Sequence, residues 1–570
     1  MDERTPAATA AEWIALGERH LAAREVVDAA TCYERAVELD PSVPERWARL
    51  GRLHLAIRRF DAAEVSLARA ASLAPHVPEL HTLLACALRE QNRVDAAIAA
   101  CERALRLDPH FMYAAVAEAL MLPPIYAHAD DVQKWRARFA AGLERLHRRL
   151  PEWRSNARQI LELDWTNFLL AYQGENDAEL QTSYANWVAA LLGAAVPQLQ
   201  TPIATQSARR DRIHVGFVSS EFRRSTVGDY FLRWITDLPR DRFHVTTIYT
   251  GQAVDDRTVE AQRSSDRFAH VAGRADEIAG VARDCHLDIA LYPDVGMSAK
   301  SILLANLRLA PVQIAGWGHP VTTGSAFVDA YLSCAAMEPP HASAHYRETL
   351  LALPGIGVRY RAPDCTKAAA RNALGLPQGK HLYLCPQSLC KIHPDNDAIF
   401  LDLVERDPDA LIVFFAGQSS GQTQAFGKRL ESGLRARNVP PRRQMTFLPR
   451  MSREDFLSVM HVCDVMIDTL RWSGGNTTLD ALSSTLPVVT LEGRFMRGRQ
   501  TAAMLRIVGA EELIARDRDH YIELALKVAG DPICRAKLSE RIRCGLPQLF
   551  DRSEPIAALA QTLQAIAAES

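Results

Sequence analysis

Six positions near the start of the chain recur at a spacing of 34. Trp13, Leu16, Gly17, Ala29, Ala36 and Pro41 return as Trp47, Leu50, Gly51, Ala63, Ala70 and Pro75, and a third set gives Leu84, Ala85, Ala97, Ala104 and Pro109. A repeat of this length in one register is a pair of antiparallel helices. The small residues let the helices approach, the large ones fill the space between them, and the proline ends the second helix. One such unit cannot bury its own apolar face, so copies must stack into a curved superhelix whose concave side suits an extended polypeptide. About three helix pairs are predicted over 1–111, with proteins or peptides as partners.

From 112 to 205 the helical period persists, but the 34-residue register is lost. This stretch reads as a helical connector ending in the polar, proline-bearing segment VPQLQTPIATQSARRDR, with a boundary near 205. Beyond it the pattern changes. IHVGFVSS, FHVTTIYTG and LDIALYPDVG are short apolar, β-branched runs separated by helix-like stretches. A second series runs HLYLCPQS, ALIVFFAGQ, QMTFLPR, VCDVMIDTL and LPVVTL. Strand alternating with helix means a parallel, doubly wound sheet. Two Rossmann-like lobes are therefore predicted, 206–375 and 376–570, the second closing with a C-terminal helix. Tandem lobes of this kind take ligands in the crevice at the carboxyl ends of their strands.

Composition excludes several other classes. With 66 Lys and Arg against 68 Asp and Glu, the chain has a formal net charge of −2 and no global field for nucleic acid or an anionic membrane. No run of about 18 apolar residues occurs, and the acidic start MDERTPAATAAEW lacks an apolar core. A cytoplasmic protein without a membrane span is expected. The 11 cysteines show no CxxC spacing, which suits reduced core residues rather than disulfides or zinc. No acidic metal triad is apparent, and no metal or cofactor is expected.

Two loops carry candidate chemistry. RWSGGNTTLDAL places Gly474 and Gly475 before Asn476, Thr477 and Thr478, where a helix must begin after the strand of CDVMIDTL. A glycine turn lets backbone approach a diphosphate, and a helix start offers unpaired amides and a positive dipole end. The same polar residues would serve equally as a plain helix cap. CPQSLCKIHPD follows the first strand of the second lobe. There Lys391 could neutralise charge on a departing nucleotide diphosphate, or it could simply be solvated.

Together these stretches resemble the bacterial relatives of the O-linked N-acetylglucosamine transferase and SPINDLY proteins. The resemblance rests on VSSEFRRSTVG, ALYPDVGM, RLAPVQIAGWGHPVTTG, MEPPHASAHYRETLLALP, CPQSLCKIHP, DVMIDTLRWSGGNTTLDAL and GRFMRGRQTAAMLRIVGAEELIA, in that order behind repeats similar to the tetratricopeptide type. It implies a two-lobe, GT-B type glycosyltransferase that inverts the anomeric centre without a metal. The expected reaction moves a sugar, typically N-acetylglucosamine from its uridine diphosphate, to Ser or Thr of proteins. The first lobe would take the acceptor and the second the nucleotide sugar. By position, Lys391 and the amides of Gly475, Asn476 and Thr477 would meet the diphosphate, flanked by Gly474 and Thr478. Asp480 would face the ribose, and Gln387 and Arg453 would line the nucleotide pocket. His319 and Pro320 would sit near the sugar, beside Thr322 and Thr323, although His319 would equally suit a structural role at a tight turn. Arg494, Arg497 and Arg499 form a basic cluster in which Arg499 alone has a clear counterpart.

Two positions depart from the family. Ser225 stands in FRRSTVG where relatives carry histidine, and a serine of ordinary pKa is no general base at neutral pH. The base would then be Asp294, Asp229 or a phosphate oxygen of the donor. Phe456 replaces a histidine that animal relatives hold near the uracil. A repeat scaffold with a degenerate, nucleotide-binding transferase fold is the alternative that Ser225 favours; an epimerase of the same fold would have little use for a peptide-binding superhelix.

Overall fold

The structure, a computed structural model, describes residues 9–23, 25–204, 211–363, 369–439 and 444–569. The boundary expected near 205 falls in 205–210, outside the described residues. Three helix pairs open the chain: Ala10–Ala22 with Val26–Leu39, Pro44–Ala56 with Phe60–Leu73, and Pro78–Glu90 with Val94–Leu107. Pro44 and Pro78 occupy the first helical turn, where the missing N–H costs nothing. The repeat positions behave as their size requires. Ala29, Ala36, Ala63, Ala70, Ala97 and Ala104 are each 0% exposed. At Gly51 even a methyl group would lie 2.4 Å from Leu67 Cγ, so glycine alone permits that helix contact.

The first compact unit runs to Arg148, through helices Met112–Leu120 and Ala129–Arg148, and also takes in Ala416–Lys428. Within it Ser419 Oγ donates to the Glu90 carbonyl at 2.6 Å, and Gly421 N donates to Gln91 Oε1 at 2.9 Å. A Cβ on Gly421 would stand 2.2 Å from the Gln91 carbonyl oxygen.

The second unit, Arg149–Phe415 with Arg429–Ser570, contains both sheets. The first has β1 (Ile213–Ser219), β2 (Phe243–Tyr249), β3 (Arg267–His270), β4 (Ile289–Tyr292), β5 (Val312–Gly316), β6 (Ala330–Cys334) and β7 (Thr349–Leu353), in the order β3-β2-β1-β4-β5-β6-β7. The second has β8 (His381–Leu384), β9 (Ala410–Phe415), β10 (Met445–Leu448), β11 (Val465–Ile467), β12 (Val488–Leu491) and β13 (Ile514–Ala515), in the order β10-β9-β8-β11-β12-β13. Every pairing is parallel. Each lobe therefore reverses its winding once, between β1 and β4 and between β8 and β11, and a crevice opens at such a point. The last helix, Glu554–Glu569, returns to the first sheet's side, where Arg242 Nη1 donates to Gln564 Oε1 at 3.1 Å. No helix among the described residues is long and apolar enough to cross a membrane.

Candidate active site

The glycine loop after β11 is fixed from below by Asp468. This carboxylate is 2% exposed and accepts hydrogen bonds from Gly474 N and Thr490 Oγ1, both at 2.8 Å. Burial pushes its pKa up to about 6. Thr501 Oγ1 adds a bond to the Gly474 carbonyl at 3.2 Å and pairs with Thr478 Oγ1 at 2.8 Å. A Cβ on Gly474 would fall 2.4 Å from Thr478 Oγ1, so this turn admits only glycine. The helix Asn476–Ser483 then begins with Gly475 as its cap residue and no side-chain cap bond. Asn476 is thus the first helical residue rather than the cap, and its Oδ1 is buried without a partner. Thr477 Oγ1 accepts from Gln387 Nε2 at 3.3 Å, tying the loop to the turn after β8.

Lys391 stands on that turn. Its Nζ lies 5.2 Å from the Trp472 ring centroid and 5.9 Å from that of Tyr172. Burial lowers its pKa. Among the described residues it makes no ion pair, whereas Arg453, Arg497 and Arg499 are committed. Arg453 holds Asp480 through both carboxylate oxygens, one of them at 2.6 Å. Arg499 pairs with Glu492 at 2.7 Å. Arg497 binds Asp177 at 3.2 Å and the carbonyls of Ala171 and Glu175.

The first lobe contributes the loops after β1, β4 and β5. Ser225 is the N-cap of the helix Thr226–Thr236: its Oγ accepts from Gly228 N at 3.1 Å and donates to the Glu221 carbonyl at 2.9 Å. Its hydroxyl is therefore spent on the backbone. Asp294 is wholly buried and accepts from Ser219 Oγ at 2.9 Å, while its Oδ1 has no partner and burial pushes its pKa up to about 7. His319 is 3% exposed and lies parallel to Phe168 at 5.4 Å between centroids. Neither of its ring nitrogens has a hydrogen-bond partner among the described residues. Burial, then the charges of Arg497 and Lys391, push its pKa down to about 3, so the ring is neutral at physiological pH.

These loops enclose a cavity of about 230 Å³. Lys391, His319, Pro320, Gln387, Gly475, Asn476 and Thr477 line it, joined by Thr226 and Tyr230. Ser225, Asp294, Arg453, Gly474, Thr478, Asp480 and Arg499 do not. Thr322 and Thr323 instead bind Glu348, Thr322 Oγ1 at 2.6 Å and Thr323 N at 2.8 Å. No carboxylate lines the cavity among the described residues, so Lys391 gives it a net positive charge and its donors do not suit a divalent cation. Tyr230 Oη, both His319 nitrogens and Asn476 Oδ1 are all buried and unpaired at its wall. Buried polar atoms are almost always hydrogen-bonded, and such a concentration of exceptions marks a ligand site.

Several of these residues escape a reading of motifs. Asp468 had a visible signal, a carboxylate closing a buried apolar strand just before a glycine loop. Phe168, Tyr172, Trp472 and Tyr230 had none, since an aromatic in an apolar run reads as core until the fold turns it toward a cavity.

Residues 359–551 match the glycosyl transferase family 41 profile, and residues 10–53 and 48–110 match tetratricopeptide-repeat profiles. The chain is 27% identical over 247 residues to the probable UDP-N-acetylglucosamine--peptide N-acetylglucosaminyltransferase SPINDLY of Solanum lycopersicum, covering 43% of this chain and 26% of that protein. It is 26% identical over 308 residues to the UDP-glucose:protein N-beta-glucosyltransferase of Actinobacillus pleuropneumoniae serotype 7, covering 51% and 47%. The chain thus spans between about a quarter and about half the length of these curated relatives. Among solved structures, a mutant of the Thermobaculum terrenum O-GlcNAc transferase shares the fold with a TM-score of 0.73 at 24% identity, over 100% of this chain and 98% of that one. Residues 10–110 are therefore matched as tetratricopeptide repeats and residues 359–551 as a glycosyl transferase family 41 domain.

Proposed function

We propose that this protein is an inverting, metal-independent protein glycosyltransferase. It moves a sugar, N-acetylglucosamine from its uridine diphosphate donor, onto Ser or Thr hydroxyls of polypeptides recruited by the repeats. One observation carries the reading: an unpaired lysine ammonium and an uncapped helix start face the same cavity, which no carboxylate lines among the described residues. That pairing suits a diphosphate leaving group. In the reaction the acceptor oxygen bonds to the anomeric carbon as the bond from that carbon to the diphosphate oxygen breaks. The hydroxyl proton leaves to a base, and Lys391 with the amides of Gly475, Asn476 and Thr477 balances the charge appearing on the diphosphate. Gln387 orients Thr477, while Asp480, locked to Arg453, serves the ribose side; Arg499 reaches the site only through its loop. Neutral His319 contributes hydrogen bonding rather than charge. It is a weak base, Asp294 is walled off, Asp229 lies outside the cavity lining and pairs with Arg257 at 3.6 Å, and Ser225 is committed to its helix, which leaves a donor phosphate oxygen as the simplest proton acceptor.

The names of the relatives point to two sugars and to both oxygen and nitrogen acceptors. The repeats ahead of the transferase motifs favour the hydroxyl reading, because that order belongs to the resemblance to the O-linked N-acetylglucosamine transferases. The test has two arms. Calorimetry with uridine diphosphate in excess chelator should show binding, and binding lost in chelator would reject metal independence. Intact mass measurement of proteins from cells with and without the active gene should show N-acetylhexosamine additions on Ser or Thr. Additions of hexose on Asn would transfer the assignment to the other acceptor class. Nucleotide binding without any addition would support the second reading, a repeat scaffold, which the capping role of Ser225 favours.

A further inference from the structure

Tyr230 belongs to the first lobe, on the helix that Ser225 caps, yet its hydroxyl reaches the glycine loop of the second. It lies 3.1 Å from the point that a Cβ on Gly475 would occupy. The residue is 2% exposed, and its hydroxyl has no hydrogen-bond partner. The ring cannot easily turn away, because Trp317 meets it edge-on at 4.8 Å and Tyr360 packs at 5.1 Å between centroids. Phenylalanine would fill the same space without stranding a polar group, so packing alone does not account for a tyrosine here.

We propose that the Tyr230 hydroxyl is a diphosphate ligand, the first lobe's donor to an anion seated on the helix start at Gly475–Thr477. This rests on the diphosphate reading above. The chemistry is one-sided. Burial raises the phenol's pKa well above its ordinary value, so it stays protonated and offers a proton. No carboxylate lines the cavity among the described residues to accept that proton; Gln500 Oε1 stands 2.9 Å from the same Gly475 Cβ point without bonding the phenol, and Gly475 opens a helix start whose first residues line the cavity. An anionic oxygen arriving with the ligand would satisfy the phenol and the amides together. The contact is to phosphate and not to sugar or base, so it should not choose among donors; it ties both lobes to one ligand.

The test is calorimetric titration of the full chain, wild type and Tyr230→Phe, with uridine diphosphate, inorganic pyrophosphate and uridine. Deleting a hydrogen bond to a charged group should weaken uridine diphosphate and pyrophosphate about ten- to a hundredfold. Uridine, which lacks the phosphates, should bind both proteins alike. Equal uridine diphosphate affinities in the two proteins would overturn the proposal and leave the diphosphate reading standing. A wild type that binds neither diphosphate would overturn that reading, and this proposal with it. Should Tyr230→Phe not fold, 3-fluorotyrosine placed at 230 keeps the shape and makes the hydroxyl a stronger donor. It should bind uridine diphosphate more tightly than the wild type, and unchanged affinity would refute the contact.

Discussion

The Lys391 ammonium lies 5.2 Å from the centre of the Trp472 ring, in a cavity where, among the described residues, no carboxylate neutralises it. An aromatic face stabilises a cation by about 0.5–2 kcal/mol, far less than an arriving dianion offers. The residue is thus held charged and available.

Lys391→Met should lose turnover while keeping the fold. By analogy with removing an oxyanion donor, a loss of about 2.7–4 kcal/mol of barrier stabilisation is expected, seen in single-turnover transfer at saturating donor. Stability should move the other way. Burial lowers the folded-state pKa of Lys391, so the unfolded chain holds the proton more tightly and the charge costs stability throughout the neutral range. Methionine removes that cost, and the variant should melt no lower than the wild type. A variant with wild-type turnover would end the assignment.

Ser225 should prove structural. Its hydroxyl bonds Gly228 N and the Glu221 carbonyl, so Ser225→Ala should lose about 1 kcal/mol of unfolding free energy, as for other helix caps. Ser225→His introduces the imidazole that the family resemblance leads one to expect at this position. If electrostatics at Lys391 and the helix start dominate, the rate should change by less than tenfold, about 1.4 kcal/mol in barrier. General acid–base assistance is worth about 100-fold or more, so a hundredfold gain would show that the natural protein is a scaffold whose catalysis has decayed.

The repeats should matter to acceptors and not to nucleotide. Gly51→Val places a branched side chain where a Cβ already stands 2.4 Å from Leu67 Cγ, a clash worth roughly 1–3 kcal/mol. Modification of folded acceptor proteins should fall, while the affinity for uridine diphosphate stays as in the wild type. Parallel loss of both would make the repeats part of the nucleotide site's own framework.

The strands that organise this fold were legible only in part, and burial alone did not decide which: β6, buried along its whole length, stands in no run read as a strand, whereas the partly exposed β10 does. β1, β2, β4, β8, β9, β10, β11 and β12 each fall in an apolar run, and the sequence runs overshoot β4 and β11 because the apolar stretch continues into the loops that bear the site. β3, RFAH, is a half-exposed edge strand with no apolar signature, and β5, VQIAG, is hidden inside a motif read for chemistry. The site divided in the same way. Lys391, His319 and the SGGNTT loop could be found because glycine, lysine and histidine at strand ends are chemically conspicuous. Asp294, Arg453 and Asp480 were equally conspicuous, but the fold buries them behind the wall or pairs them with one another. Tyr230 was silent, since only the approach of one lobe to the other gives its hydroxyl a destination.

Asp294 and His319 should give opposite signatures on the pH dependence of stability. Asp294 has a folded pKa raised to about 7 against about 4 in an unfolded chain. The folded state therefore binds more protons between those values, and this group's contribution falls as pH rises from 4 to 7. His319 has a folded pKa lowered to about 3 against about 6.5 unfolded, so here the unfolded state binds more protons and the contribution grows from pH 3 to 6.5. Urea unfolding of wild type, Asp294→Asn and His319→Phe at pH 4, 5.5, 7 and 8 separates the two. The stability of wild type relative to Asp294→Asn should decline across the series, and relative to His319→Phe it should rise and then level off above pH 7. A flat difference for His319→Phe would mean that the imidazole titrates normally, with water or an anion reaching it in solution. The ring would then be free to carry the acceptor's proton, and the donor phosphate would lose its place as the simplest base.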